Sequence, residues 1–252
     1  MHRFYLPPSE CRGSSLSLTG REAHHALHVL RVRTGDSVTV LDGEGVVMLC
    51  KVAEAKRDQV NLEIIEQRSV PPLLCHVTLA QAIPKGKLFE AIVQKATELG
   101  AGRIVPLLSE RVVSKPEAED GGHKVEKWRQ VAIEAIKQCG SGWLPKIEAP
   151  MTMEAFLSLQ AEGELALVGS LAQGSQHPRN WFMEFAQAKG RNPKSVSVSI
   201  GPEGDFTAEE LSVLQSAGAK PITLGPLVLR TETAAIYCLS VINYELQFAP
   251  AT

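Results

Sequence analysis

Two glycine-proline turns near the C-terminus constrain the fold of this chain most. The first is Ile200-Gly201-Pro202-Glu203-Gly204-Asp205-Phe206, the second Leu224-Gly225-Pro226-Leu227-Val228-Leu229-Arg230. Each follows a strand-like run and leads into a helical pattern. Val196 to Ile200 alternates apolar and polar residues, as a strand with one buried face does. After it, Thr207 and Glu210 form a capping box that fixes a helix start, and Gly218 suits the helix stop. Pro221 to Leu224 reads as a second, short strand. Beyond Arg230, Ala235, Leu239, Ile242 and Leu246 recur at helical spacing and mark a long terminal helix. Two glycine turns at the ends of neighbouring strands make a crevice lined by main-chain groups, where open α/β sheets bind ligands.

The turns are neither a dinucleotide fingerprint, which requires Gly-x-Gly-x-x-Gly, nor a P-loop, since no Lys-Ser or Lys-Thr follows. Arg230, Thr231, Glu232 and Thr233 put four polar groups at a loop–helix junction in an apolar region. Such groups are costly to bury without partners, which points to a ligand or a partner subunit.

Upstream, strands and helices alternate. His76 to Ile83 and Arg103 to Leu108 read as strands, and Leu165 to Val168 as a short apolar one. Lys87 to Leu99 is a helix with Leu88, Ile92, Ala96 and Leu99 on one face, stopped at Gly100. Val125 to Gln138 is another helix, while 117–123 is expected to be a mobile loop and 172–179 a second loop. Such alternation implies a parallel sheet covered by helices, an α/β fold. Residues 1–70 differ. Ser37 to Leu41, Val46 to Val52 and Val60 to Ile65 are β-like, with Asp42-Gly43-Glu44-Gly45 as a hairpin turn, and together they suggest a small β-barrel. Pro71-Pro72 is a stiff connector. The 252 residues therefore divide into domains at 1–70 and 73–252.

No apolar run reaches membrane-spanning length, and the N-terminus lacks a signal-peptide core. The five cysteines are scattered and form no CxxC, which fits reduced thiols in the cytoplasm and no metal site. The formal charge of −2 disfavours a nucleic-acid binder, yet residues 85–146 carry 11 Lys/Arg against 8 Asp/Glu while 147–252 carry 6 against 11. Basic residues thus gather upstream of the two turns, as a solvated surface or an RNA contact.

With Lys85-Gly86, Gln94 to Gly100, Pro106 to Arg111, Trp128, Glu134-Ala135, Gln138-Cys139-Gly140, Pro145, and His24-His25 with Val29-Leu30-Arg31 near the N-terminus, these turns resemble the RsmE family. That family comprises 16S ribosomal RNA uracil N3-methyltransferases of the SPOUT superfamily, and the resemblance covers nearly the whole chain. It implies a PUA-like RNA-binding β-barrel in 1–70 and a SPOUT α/β domain with a deep trefoil knot in 73–252. The knot rests on the resemblance alone, because pattern reasoning disfavours threaded chains. It further implies a homodimer, S-adenosylmethionine as cofactor and 16S RNA of the small ribosomal subunit as partner.

By the same resemblance, three loops hold the cofactor: Leu167 to Leu171, Ile200 to Gly204 and Leu224 to Ala234. Leu224, Gly225 and Leu229 would meet the adenine; Gly201, Glu203, Gly204 and Arg230 would face the methionine end. Pro202, Thr233 and Ala234 complete the set. Uracil N3 must lose a proton to accept a methyl group. Arg230, always charged, is the candidate for stabilising the uracil anion, and Glu232 or Glu203 for accepting the proton. Either glutamate serves equally as a helix cap or turn brace. Arg31, Arg33, Lys85, Lys87, Lys95 and Arg111 are candidates for phosphate contacts. His24 and His25 are open between RNA contact and structure.

Three segments depart from the family pattern. Asp205 stands where glycine is usual, tolerable as a second helix cap. Ser141-Gly142-Trp143 replaces a segment that commonly carries arginine, with Trp143 available to stack on a base. Gly169-Ser170-Leu171-Ala172 alters the first loop. Two other readings remain: a non-catalytic ribosomal RNA-binding factor, and ribose 2′-O methylation by a related knotted enzyme.

Overall fold

The structure, a computed structural model, describes residues 1–111, 120–160, 163–172 and 174–247. It contains two units, Met1–Pro72 with Ile133–Leu144, and Leu73–Ala132 with Pro145 onward. Ile133–Leu144 therefore packs within the first unit, not in the 73–252 portion to which a break at residue 70 assigns it.

In the first unit, β1 (His2–Tyr5), β2 (Ser15–Leu18), β3 (Ser37–Leu41), β4 (Val46–Ala55) and β5 (Val60–Ser69) form one sheet in the order β1-β3-β4-β5-β2. The β3–β4 hairpin turn closes because Asp42 Oδ1 accepts from the N–H groups of Glu44 and Val46, both at 2.8 Å. Register shifts after Leu49 and Val52 bend the sheet, as bulges do. Its ladder remains open between the edge strands β1 and β2, so the expected barrel is a curved sheet in its hydrogen bonding. Helix α1 (Gly20–His24) runs into a π turn at His25–Val29, and Ala23 and Ala26 seal a core of Phe4, Leu18, Met48 and Leu62. Ile133 and Ile136 pack on Tyr5, Leu41 and Val47. Lys137, buried, bonds Glu22 at 2.9 Å and Glu134 at 3.2 Å.

The second unit is a six-stranded, wholly parallel sheet of β6 (His76–Ala82), β7 (Arg103–Leu107), β8 (Lys146–Ile147), β9 (Leu165–Gly169), β10 (Ser195–Ile200) and β11 (Lys220–Ile222), in the order β11-β9-β10-β6-β7-β8. Helices α2 (Leu88–Glu98), the part up to Ala132 of α3 (Asp120–Cys139), α4 (Met153–Leu159), α5 (Pro178–Lys189), α6 (Ala208–Ser216) and α7 (Thr231–Leu246) accompany it.

Several expectations change. β10 is buried on both faces, serines included, because a parallel sheet is covered on both sides. Buried Ser197 accepts from the Gln160 amide. α2 buries Phe89, Ile92, Val93 and Ala96 while Leu88 stays exposed, a face turned by one residue from the expected stripe. α3 begins at Asp120, inside the segment expected to be a loop, of which 117–119 lies outside the described residues. α4 and α5 were not anticipated. The capping box of α6 is present on both sides, and Ala235, Leu239, Ile242 and Leu246 are all buried along α7. No helix of the described residues is long and apolar enough to cross a membrane.

Candidate active site

At the C-terminal end of the sheet, three loops converge on one cleft. Gly169 to Leu171 follows β9, Gly201 to Asp205 follows β10, and Thr223 to Thr231 joins β11 to α7. The cleft is partly open to solvent. Its walls are mostly apolar: Ile200, Ile222, Leu224, Leu227, Val228 and Leu229. Leu171, Leu227 and Val228 are exposed there, surface that a soluble chain usually covers with a ligand or partner.

Two glycines are required by this geometry. A Cβ on Gly201 would lie 2.8 Å from the Phe206 nitrogen, so the turn closes only without a side chain. Gly225 has φ +110° with open space where a Cβ would stand, a conformation favouring glycine and leaving backbone uncovered.

The first turn is held from three directions. Thr231 Oγ1 donates to the Gly201 carbonyl at 2.6 Å and accepts from Gln81 Nε2 at 2.9 Å. Gln81 Nε2 also donates to the Ala82 carbonyl at 2.9 Å. Both side chains are buried, and Gln81 Oε1 has no partner among the described residues. Because the Gln81 amide donates to the threonine oxygen, the hydroxyl proton is directed at Gly201. The Arg111 guanidinium donates to the Gly204 carbonyl. Buried Glu210 orders the chain before it, accepting from Ser109 Oγ at 3.1 Å and the Glu110 N–H at 2.9 Å. Finally, a Glu203 carboxylate oxygen accepts from the Lys85 N–H at 3.1 Å.

Asp205 does not cap a helix. It has φ +61°, its N–H donates to the Pro202 carbonyl at 2.9 Å, and its carboxylate accepts from the Phe206 N–H at 2.8 Å. Aspartate is among the few residues that tolerate this region, which explains why glycine also suits the position. The cap of α6 is Thr207.

Of the expected cofactor residues, Gly201, Pro202, Glu203, Leu224, Gly225, Leu229 and Ala234 line the cleft. Leu167 does not; it is buried in mid-strand, paired with Val198 and Lys220. Gly204 and Thr233 are exposed and outside the lining. Arg230 is the N-cap residue of α7, exposed between Leu229 and Thr231, and its guanidinium bonds no described residue. Glu232 lies in the first turn of α7, where the helix end favours negative charge. Gly169, Ser170, Thr223, Leu227, Val228 and Thr231 also line the cleft, and Gln81 stands behind it.

The expected phosphate contacts scatter. Lys85 and Lys87 are exposed beside the Glu203 turn, Lys95 is paired with Glu98 at 2.9 Å, and Arg111 is committed to Gly204. Arg31 and Arg33 are exposed on the first unit. His25 faces Lys137 at 3.5 Å and the Phe4 ring, a structural setting. The Trp143 Nε1–H donates to the Val70 carbonyl at 3.0 Å and the ring lies over Gly45, so the indole edge is already used.

The model of the RNA methyltransferase domain family matches residues 71–243, and that of the RNA methyltransferase PUA domain matches residues 18–65. The chain belongs to the RNA methyltransferase family. It is 34% identical over 249 residues to ribosomal RNA small subunit methyltransferase E of Synechocystis, covering 98% of this chain and 78% of that protein. A Legionella pneumophila protein described as a methyltransferase, solved with the bound cofactor SAM, superposes with a TM-score of 0.85 at 33% identity over 96% of both chains. Ribosomal RNA small subunit methyltransferase E of Neisseria gonorrhoeae, bound to S-adenosyl methionine, superposes at 0.84 with 25% identity over 97% of both. In this RNA methyltransferase the glycine turns were legible in sequence. The Gln81–Thr231 clamp was not, since its partners are joined only by the fold.

Proposed function

We propose that this RNA methyltransferase transfers the methyl group of S-adenosylmethionine to N3 of a specific uridine in 16S RNA of the small ribosomal subunit. The carrying observation is the cleft itself: three loops at one end of a parallel sheet, with Glu203 on its wall and Arg230 flanked by two lining residues. The donor set fits the cofactor. Apolar Leu224, Leu227, Val228 and Leu229 suit the adenine, main-chain groups around Gly201 and Gly225 suit its polar edges, and Glu203 and Arg230 suit the charged amino-acid end. Bound there, S-adenosylmethionine supplies a methyl group already activated on a sulfonium.

The protein's own tasks are then positioning and charge. Arg230 stabilises the negative charge that uracil gains at its carbonyls as N3 loses its proton. Glu232 or Glu203 accepts that proton, directly or through water. Glu203 lines the cleft with one oxygen bonded to the Lys85 N–H, while Glu232 lies in the first turn of α7, outside the lining. N3 lies on the Watson–Crick edge, so the target must be unpaired or flipped out. Arg31 and Arg33 act on phosphates from the PUA unit, and Lys85 and Lys87 act on phosphates from the methyltransferase unit.

The deep trefoil knot belongs to this reading. It is supported by the path from the edge strand β11 back to the N-terminus of α7, where Thr231 meets Gln81 of β6. A homodimer is supported by apolar surface at Leu227, Val228, Tyr237 and Tyr244. The enzyme works in the cytoplasm, where ribosomal RNA is made. Calorimetric titration with S-adenosylmethionine tests the site: saturable binding, lost in Gly225→Val, is expected. No binding would instead favour an RNA-binding factor that keeps the fold.

A further inference from the structure

A second depression opens beside the cofactor cleft, at the C-terminal end of β6. The segment after the strand forms one wall, with Gly86 and Lys87; Phe89 and Trp128 form the floor; Lys124 and Lys127 on α3 face them. We propose that this trough binds a backbone phosphate of the RNA strand adjacent to the nucleotide being methylated. The inference rests on the RNA-methylating reading above.

Four observations carry it. The charge is right: among the described lining residues Lys87, Lys124 and Lys127 stand with one carboxylate, Glu90, which is paired with Lys127 at 2.6 Å. Lysine acts on phosphate as a point charge and needs no fixed fork geometry. Secondly, Lys87 is the N-cap residue of α2 and makes no side-chain cap, so the positive helix end opens towards the same space. There is also room, because Gly86 has φ +68° and nothing within 4 Å of a Cβ position. Finally, the floor excludes the alternative of a stacked base. Phe89 and Trp128 are buried and packed on each other, with ring centroids 4.4 Å apart.

Position ties the trough to catalysis. β6 and β10 are neighbours in register, Gln81 opposite Ile200, so trough and cleft open at the same end of adjacent strands. The Lys85 N–H on the Glu203 carboxylate at 3.1 Å joins one wall of the trough to the cofactor turn. A phosphate held here sits next to the base presented to the cleft.

The test compares Lys124→Ala/Lys127→Ala with the wild-type enzyme in binding to 16S RNA across a salt series, with methyl transfer and S-adenosylmethionine affinity measured in parallel. Removing the contacts to one phosphate on single-stranded RNA should lower the slope of log K against log salt by about 0.7, raise KM for RNA, and leave cofactor affinity unchanged. Lys189→Ala/Lys194→Ala serves as the control, since Lys194 precedes β10 at the opposite end of the sheet. An unchanged slope in the trough variant, or an equal loss in the control, overturns the proposal. A wild-type enzyme that methylates no RNA would instead overturn the function on which it rests.

Discussion

Replacing Thr231 by valine removes one hydroxyl and keeps the side-chain shape. That hydroxyl donates to the Gly201 carbonyl at 2.6 Å and accepts from Gln81 at 2.9 Å, and the residue is buried. Gln81 keeps its bond to the Ala82 carbonyl, so the main loss is a buried, unsatisfied Gly201 carbonyl. One such group costs about 1–3 kcal/mol. For a chain of this length, about 2 kcal/mol lowers the melting temperature by roughly 4–8 °C. The Gly201 turn is also part of the cleft wall, where the proposed function puts the cofactor. If its binding-competent conformation falls to about one-tenth of the population, cofactor affinity falls about tenfold. Differential scanning calorimetry and cofactor titration read the two effects, and Thr231→Ser should restore both. Combined with Gln81→Met, Thr231→Val should cost less than the sum of the single changes, because both break one relay. Wild-type melting and cofactor affinity in Thr231→Val would refute the clamp.

Other consequences follow from the same geometry. Arg230→Ala should abolish methyl transfer while leaving the melting temperature unchanged, since the guanidinium bonds no described residue; normal turnover would remove Arg230 from the mechanism. Asp205→Gly should be neutral or slightly stabilising at φ +61°, whereas Asp205→Val should cost about 1–2 kcal/mol in thermal unfolding. Burial pushes Cys75 and Cys238 up to about 12 from an ordinary value of 9.0. At pH 8 a thiol reagent should therefore label exposed Cys139 first and these two only on unfolding. Because the unfolded chain gives up those protons first, their contribution to stability is full below pH 9 and is lost between pH 9 and 12. A flat denaturant midpoint across that range would contradict it.

Elements set by local chemistry were the legible ones. The capping box of Thr207 and Glu210 and the apolar stripe of α7 need only their own residues to be read. α5 carried signals of the same kind, with His177 as N-cap, Pro178 in the first turn and Gly190 at φ +70° past its end, yet the polar stretch before it masked the start. Burial misled where neighbours decide it: serines in β10 look solvent-facing until helices cover both sides of the sheet. In α2, Phe89 and Val93 turned the buried face because its neighbours choose it: α7 packs along the helix and Trp128 of α3 meets Phe89. Leu167 does not line the cleft because the loop side of it begins two residues later, at Gly169. Contacts made by topology left no trace in sequence. Gln81 with Thr231, Arg111 with Gly204, and the packing of Ile133–Leu144 into the first unit all join residues far apart along the chain.

Labelled methyl transfer from S-adenosylmethionine to small ribosomal subunits lacking their native methylation, followed by nucleoside analysis, tests the central claim most directly. The account predicts 3-methyluridine as the labelled product, absent with Arg230→Ala. A 2′-O-methylated nucleoside, or no labelled RNA despite cofactor binding, would contradict it.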